Sequence, residues 1–86
     1  MYTIDIKPDV EKIFLKLSKK NPKQLKIVYK KLEQILINPY HFKPLKGDMK
    51  GSRRVHIGKS FVLVYEIHEE KKIVTILDYN HHDKIY

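Results

Sequence analysis

Proline places the first boundaries in this chain. Its ring fixes φ and removes a backbone donor, so it is tolerated in the first turn of a helix but breaks a helix interior. Before Pro8, residues 2–7 alternate apolar Tyr2, Ile4 and Ile6 with polar Thr3, Asp5 and Lys7, the pattern of a strand with one buried face. After Pro8 the period lengthens. Val10, Ile13, Phe14 and Leu17 recur at helical spacing, and Asp9 and Glu11 lie near the positive end of the helix. Asn21-Pro22 closes this helix and opens a second, with Asn21 as its N-cap. The second helix carries Leu25, Val28, Tyr29, Leu32, Ile35 and Leu36 on one face and stops at Asn38-Pro39. Tyr29 and Tyr65 sit within apolar stripes and are expected in the core.

Residues 39–51, PYHFKPLKGDMKG, read as a loop. Strands return at 53–57 (RRVHI), 61–67 (FVLVYEI) and 73–79 (IVTILDY), separated by GKS and HEEKK turns, the first with Gly58 for backbone freedom. The order β-α-α-β-β-β predicts an α+β domain over 1–86, a helical hairpin packed on one face of a twisted, antiparallel-rich sheet. If Val55 and Ile57 face the helices, Arg54 and His56 face away. On the partner strand Leu63, Tyr65 and Ile67 then face the core, with Val62, Val64 and Glu66 on the open side.

At 86 residues the chain has room for one modest core. Its longest apolar runs fall far short of the roughly 20 residues that span a bilayer. The start lacks the marks of a signal peptide, and there is no cysteine, so a cytoplasmic protein without disulfides or thiolate metal sites is expected. Eighteen Lys and Arg against ten Asp and Glu leave a formal net charge of +8, which favours a polyanionic partner, nucleic acid or an acidic protein segment. His81 and His82 are adjacent and converge poorly on one ion, so no metal is expected.

The stretch PLKGDMKGSRRVHIGKSFVLVYEI, residues 44–67, and the ending HHDKIY resemble the RelE/ParE toxin superfamily. The likeness lies in a Leu-Lys-Gly loop, a basic strand, a glycine turn, an aromatic-led strand ending in Tyr-Glu, and an ending similar to the family's closing His-Arg-x-x-(Val/Ile)-Tyr. The element order agrees along the whole chain. The resemblance implies a toxin held inactive by a cognate antitoxin protein. RelE-type members cut messenger RNA in the ribosomal A site without a metal or small-molecule cofactor, whereas ParE-type members poison DNA gyrase.

Metal-free RNA cleavage needs a base to free the 2′-hydroxyl, an acid for the leaving oxygen, and cations around the crowded phosphate. By the resemblance, Arg54 and Lys46 match basic positions of the family and Tyr86 its terminal aromatic. Catalytic roles are expected for His82, Tyr86, Arg54 and His56, and RNA or phosphate contact for Lys46, Lys50, Arg53, Arg54 and His81. Three positions depart from the family pattern. His56 replaces Arg or Lys, Val62 replaces an arginine, and His82 replaces the arginine of the closing pair. The leading expectation is a ribosome-dependent messenger-RNA endonuclease that inhibits translation. A non-enzymatic gyrase inhibitor and a catalytically decayed fold that only binds its antitoxin are the alternatives.

Overall fold

Pro8 and Pro22 each occupy the first turn of a helix, as the sequence predicts. The computed structural model of the chain describes residues 1–44 and 51–81. Strand β1 (Thr3–Ile6) leads into helices α1 (Pro8–Lys20) and α2 (Pro22–Ile37), followed by strands β2 (Ser52–Ile57), β3 (Phe61–His68) and β4 (Ile73–His81). Asn21 caps α2, its side-chain oxygen accepting from the Gln24 backbone N–H at 3.3 Å. Gly58 takes φ +63° in the β2–β3 turn, a conformation that costs glycine nothing.

The strands form one sheet in the order β1-β4-β3-β2. β2, β3 and β4 are antiparallel neighbours, while β1 joins the outer edge of β4 in parallel. The helical hairpin covers one face. Val10 and Phe14 of α1 and Leu25, Val28, Leu32 and Ile35 of α2 pack on Val55, Ile57, Leu63, Tyr65, Val74, Ile76 and Tyr79 of the sheet. Tyr65 is fully buried, as expected, but Tyr29 is 49% exposed. The contact stripe of α2 runs through Leu25, Val28, Leu32 and Ile35, and Tyr29 sits about 100° round the helix from Val28.

One irregularity decides which residues share a face. Between Val64 and Tyr65 the pairing of β3 with β4 shifts: Tyr65 opposes Ile76 and Val64 opposes Asp78. Leu77 is the extra residue of this bulge. It reverses the parity of β4, so that Val74 and Ile76 before it and Tyr79 after it all enter the core. Val62, Val64 and Leu77 form a second apolar cluster, separate from the main core. Strand β4 also runs to His81, two residues past the expected end. Among the described residues no helix is long and apolar enough to cross a membrane.

Candidate nucleic-acid interface

β2 is the edge strand, and strict alternation splits its side chains between two environments. Val55 and Ile57 are buried under the helices, at 4% and 1% exposure. Arg54 and His56, two residues apart, share the opposite face and oppose Val64 and Val62 of β3. Neighbouring positions across β4 are Asp78 and Asn80. Both are turned to local duty, since Asp78 Oδ1 accepts from the Tyr79 N–H and Asn80 Oδ1 from the His81 N–H, each at 2.8 Å. Val62 and Val64, at 0% and 3% exposure, make an apolar strip beside the two basic residues.

The segment following α2 closes over the free edge of β2. The Arg54 backbone N–H donates to the Lys43 carbonyl at 3.0 Å, and Pro44 forms an isolated bridge with Arg53. The Arg54 guanidinium also donates to the Pro44 carbonyl at 2.9 Å. Between this segment, α2 and β2 lies a groove of about 410 Å³, lined by Lys31, His41, Phe42, Lys43, Arg54, Val55 and His56. Among the described residues, three permanent cations and two histidines face it, with no carboxylate. Lys31 Nζ stands 5.9 Å from the Phe42 ring centroid, and the His41 ring meets Phe42 edge-on at 5.0 Å between centroids.

The loop is held by bonds that sequence patterning did not reveal. The Tyr65 hydroxyl donates to the Pro39 carbonyl at 2.6 Å inside the core. Burial pushes this phenol up to about 12. Arg53, paired with Tyr65 and therefore on the helix side of β2, donates to the Phe42 carbonyl at 2.6 Å and the Tyr40 carbonyl at 3.3 Å. Its guanidinium lies 5.1 Å from the Tyr40 ring centroid. The Tyr40 hydroxyl donates to Glu69 in the β3–β4 turn at 2.9 Å. Glu69 also accepts from Lys72 at 2.5 Å and from Tyr2 at 2.7 Å. Hydrogen bonds from Lys72, Tyr2 and Tyr40, in that order, hold its carboxyl down at about 2. The same carboxylate raises the phenols of Tyr2 and Tyr40 above their ordinary range.

The expected site residues therefore fall into separate groups. Arg54 and His56 share one face and one groove. Arg53 is directed behind them, onto loop carbonyls. His81 opposes Phe61 on the helix side, edge-on to its ring at 5.4 Å, because the bulge reverses the parity of β4. Lys46, Lys50, His82 and Tyr86 lie outside the described residues. Lys31, His41, Phe42 and Lys43 line the groove without having been singled out for it. The sequence signal for His41, Phe42 and Lys43 is a basic and aromatic run, HFK, separated from the basic strand by residues 44–51, and Lys31 belongs to α2. Carboxylates gather elsewhere: Asp5, Glu69 and Glu70, with His68, Lys71, Ile73 and Thr75, line a cleft of about 430 Å³ at the β1 side of the sheet. Among the described residues no group of three or more His, Asp or Glu is arranged to hold a metal ion.

The description "ParE toxin of type II toxin-antitoxin system, parDE" belongs to the family model that matches residues 2–86. The chain is 49% identical over 86 residues to the "Putative toxin RelE4" of Methanocaldococcus jannaschii, covering 100% of this chain and 92% of that protein. Among solved structures, the YoeB/ParE toxin from Agrobacterium tumefaciens superposes with a TM-score of 0.83 at 15% identity, covering 95% of this chain and 99% of that one. The toxin in the intact Escherichia coli RelBE toxin–antitoxin complex gives a TM-score of 0.73 at 26% identity, covering 93% and 95%.

Proposed function

Because the chain belongs to the ParE toxin family of type II toxin–antitoxin systems, we propose that it is a toxin of the messenger-RNA-cutting kind, acting on the ribosome and inhibiting translation. The observation that carries this reading is the pairing of Arg54 and His56 on one face of β2, bordering a groove that Lys31 and Lys43 also line. A phosphodiester entering there meets Lys31, Lys43 and Arg54. Those cations act where charge builds in the transition state.

In this mechanism the 2′-oxygen attacks the adjacent phosphorus and the 5′-oxygen leaves, giving a 2′,3′-cyclic phosphate and a 5′-hydroxyl. Arg54 and Lys46 hold the phosphate, and His56 assists beside them. His82 and Tyr86 exchange the protons, one taking that of the 2′-hydroxyl and one supplying the leaving oxygen. Lys50 contacts flanking RNA, Arg53 acts from behind by fixing the loop that carries Lys43, and His81, on the helix side of the sheet, takes no part. A cognate antitoxin is the protein partner, in keeping with the toxin–antitoxin complex in which the similar E. coli protein was solved.

A second reading has its own support. Val62 and Val64 make the strip next to Arg54 and His56 apolar, and Val62 stands where the RelE-type pattern has an arginine. Burial of this strip leaves the position of that phosphate-binding arginine without a cation, so a toxin that blocks gyrase by binding, as ParE-type members do, is the alternative. Inducible expression separates the two. Growth arrest with messages cut at defined codon positions supports the nuclease, whereas arrest with DNA damage and intact messages overturns it. Under the nuclease reading, His82→Ala combined with Tyr86→Ala abolishes cutting while the protein stays folded.

A further inference from the structure

We propose that the groove at the β2 edge is a binding site for single-stranded RNA, in which the His41 ring stacks on one base while Lys43, Lys31 and Arg54 hold the adjoining phosphates. The proposal rests on the RNA reading above, but on binding alone and not on cleavage.

The groove's lining alternates cations with rings. Such interleaving is what a nucleic-acid strand needs, since phosphates alternate with flat bases along it. The two rings have different parts. Phe42 is half-buried against the main core, with Lys31 over its ring, so it serves as a fixed floor. His41 is exposed and stands edge-on to that floor, at 80° between ring planes. The floor sets the orientation of the histidine ring, whose face is what a base would meet. Lys43 is exposed beside it, and Arg54 lies across the groove on the edge strand.

Preorganisation strengthens the case. The segment from Asn38 to Pro44 is tied at several points. Tyr65 and Arg53 hold the carbonyls of Pro39 and Phe42, Glu69 holds Tyr40, and Asn38 accepts from the Tyr40 N–H at 3.1 Å. A loop so fixed loses little conformational freedom on binding a ligand. Size selects among polyanions. A volume of about 410 Å³ accommodates a base and its phosphate, but an α-helix with side chains is about 10–12 Å across. An acidic helix of a protein partner therefore does not enter this groove.

The experiment measures binding of a labelled single-stranded RNA oligonucleotide carrying 2′-O-methyl riboses, which cannot be cut by attack of the 2′-oxygen. Affinity is followed by fluorescence anisotropy over a series of salt concentrations, with circular dichroism verifying the fold of each variant. His41→Ala weakens binding about 5- to 150-fold, the range for losing one stacked base, and leaves the salt slope unchanged. His41→Phe restores affinity, and His41→Lys, which supplies a cation without a ring, does not. Lys43→Gln lowers the slope of log affinity against log salt by about 0.7, the value for one phosphate contact on a single strand. The proposal is overturned if His41→Ala binds as wild type, or if His41→Phe binds no better than His41→Ala. It is also overturned if the variants lose affinity for a polyglutamate peptide but not for RNA, which assigns the groove to an acidic protein segment. Parallel assays on unmodified messages keep the two readings apart. Expected binding losses with no cutting by the wild type retain the groove and reject the nuclease. Cutting by the wild type with unchanged binding in the variants does the reverse.

Discussion

Two buried or bridging groups hold the loop that shapes the basic groove, and each makes a separate prediction. Tyr65 donates its hydroxyl to the Pro39 carbonyl inside the core. Tyr65→Phe keeps the ring but leaves that carbonyl without its donor, so the variant loses about 1–2 kcal/mol, read as a lower urea midpoint at unchanged slope. The Tyr65 phenol is raised from 10.0 to about 12, so its stabilising effect is complete below pH 10. That effect is lost as pH climbs towards 12, because the unfolded phenol ionises first. Tyr65→Phe should lack this alkaline loss. Glu69 has the opposite sign. Its carboxyl is lowered from 4.5 to about 2, chiefly by hydrogen bonding from Lys72. Its contribution is therefore present above pH 4.5 and disappears as pH falls through 2. Thermal melts across that window should show a steeper acid loss for wild type than for Glu69→Gln, and equal slopes would contradict the assigned bonds. None of these ties was legible in the sequence. Tyr2, Tyr40 and Glu69 lie on three separate segments, and apolar periodicity carries no information on which hydroxyl reaches which carboxylate.

At the scale of elements, the sequence was most informative where a period was unbroken. The helix stripes, the proline boundaries and the Asn21 cap follow from spacing alone, and alternation along β2 correctly separates Arg54 and His56 from the core. Asn21→Ala removes the cap and should cost about 1 kcal/mol, measured by chemical denaturation. Reading failed where the period broke. The bulge at Leu77 follows from how β3 and β4 fit each other, and a one-residue slip sends His81 to the helix side. A trace was present: Val74 and Ile76 share a parity that Tyr79 does not. Val62 lies next to this irregular region with no exposed surface. Val62→Arg restores the family's arginine to this position, but it forces a charge into an apolar cluster. A loss of about 2–4 kcal/mol is expected. If the variant instead keeps its melting temperature and gains RNA affinity, the apolar strip is more accommodating than its burial indicates.

For the molecule as a whole, the sequence discloses an excess of positive charge but not its distribution. Its net charge of +8 is compatible with a uniformly solvated lysine surface. The fold brings Lys31, Lys43 and Arg54 to the β2-edge groove, and Asp5, Glu69, Glu70 and Lys71 to the cleft on the β1 side. Attraction of a polyanion to the groove should weaken steeply with salt. In the proposed function this edge presents an RNA phosphate for attack by its own 2′-oxygen. The most direct measurement maps the ends of messages after purified protein is added to ribosomes translating a defined transcript. Cuts are expected within the ribosomal A-site codon, with 2′,3′-cyclic phosphate and 5′-hydroxyl ends. Arg54→Ala with His56→Ala should reduce cutting at least about 100-fold, as expected when main phosphate-stabilising groups are removed. Intact transcripts at saturating protein, or cuts that the double variant makes at the wild-type rate, would contradict the proposed function.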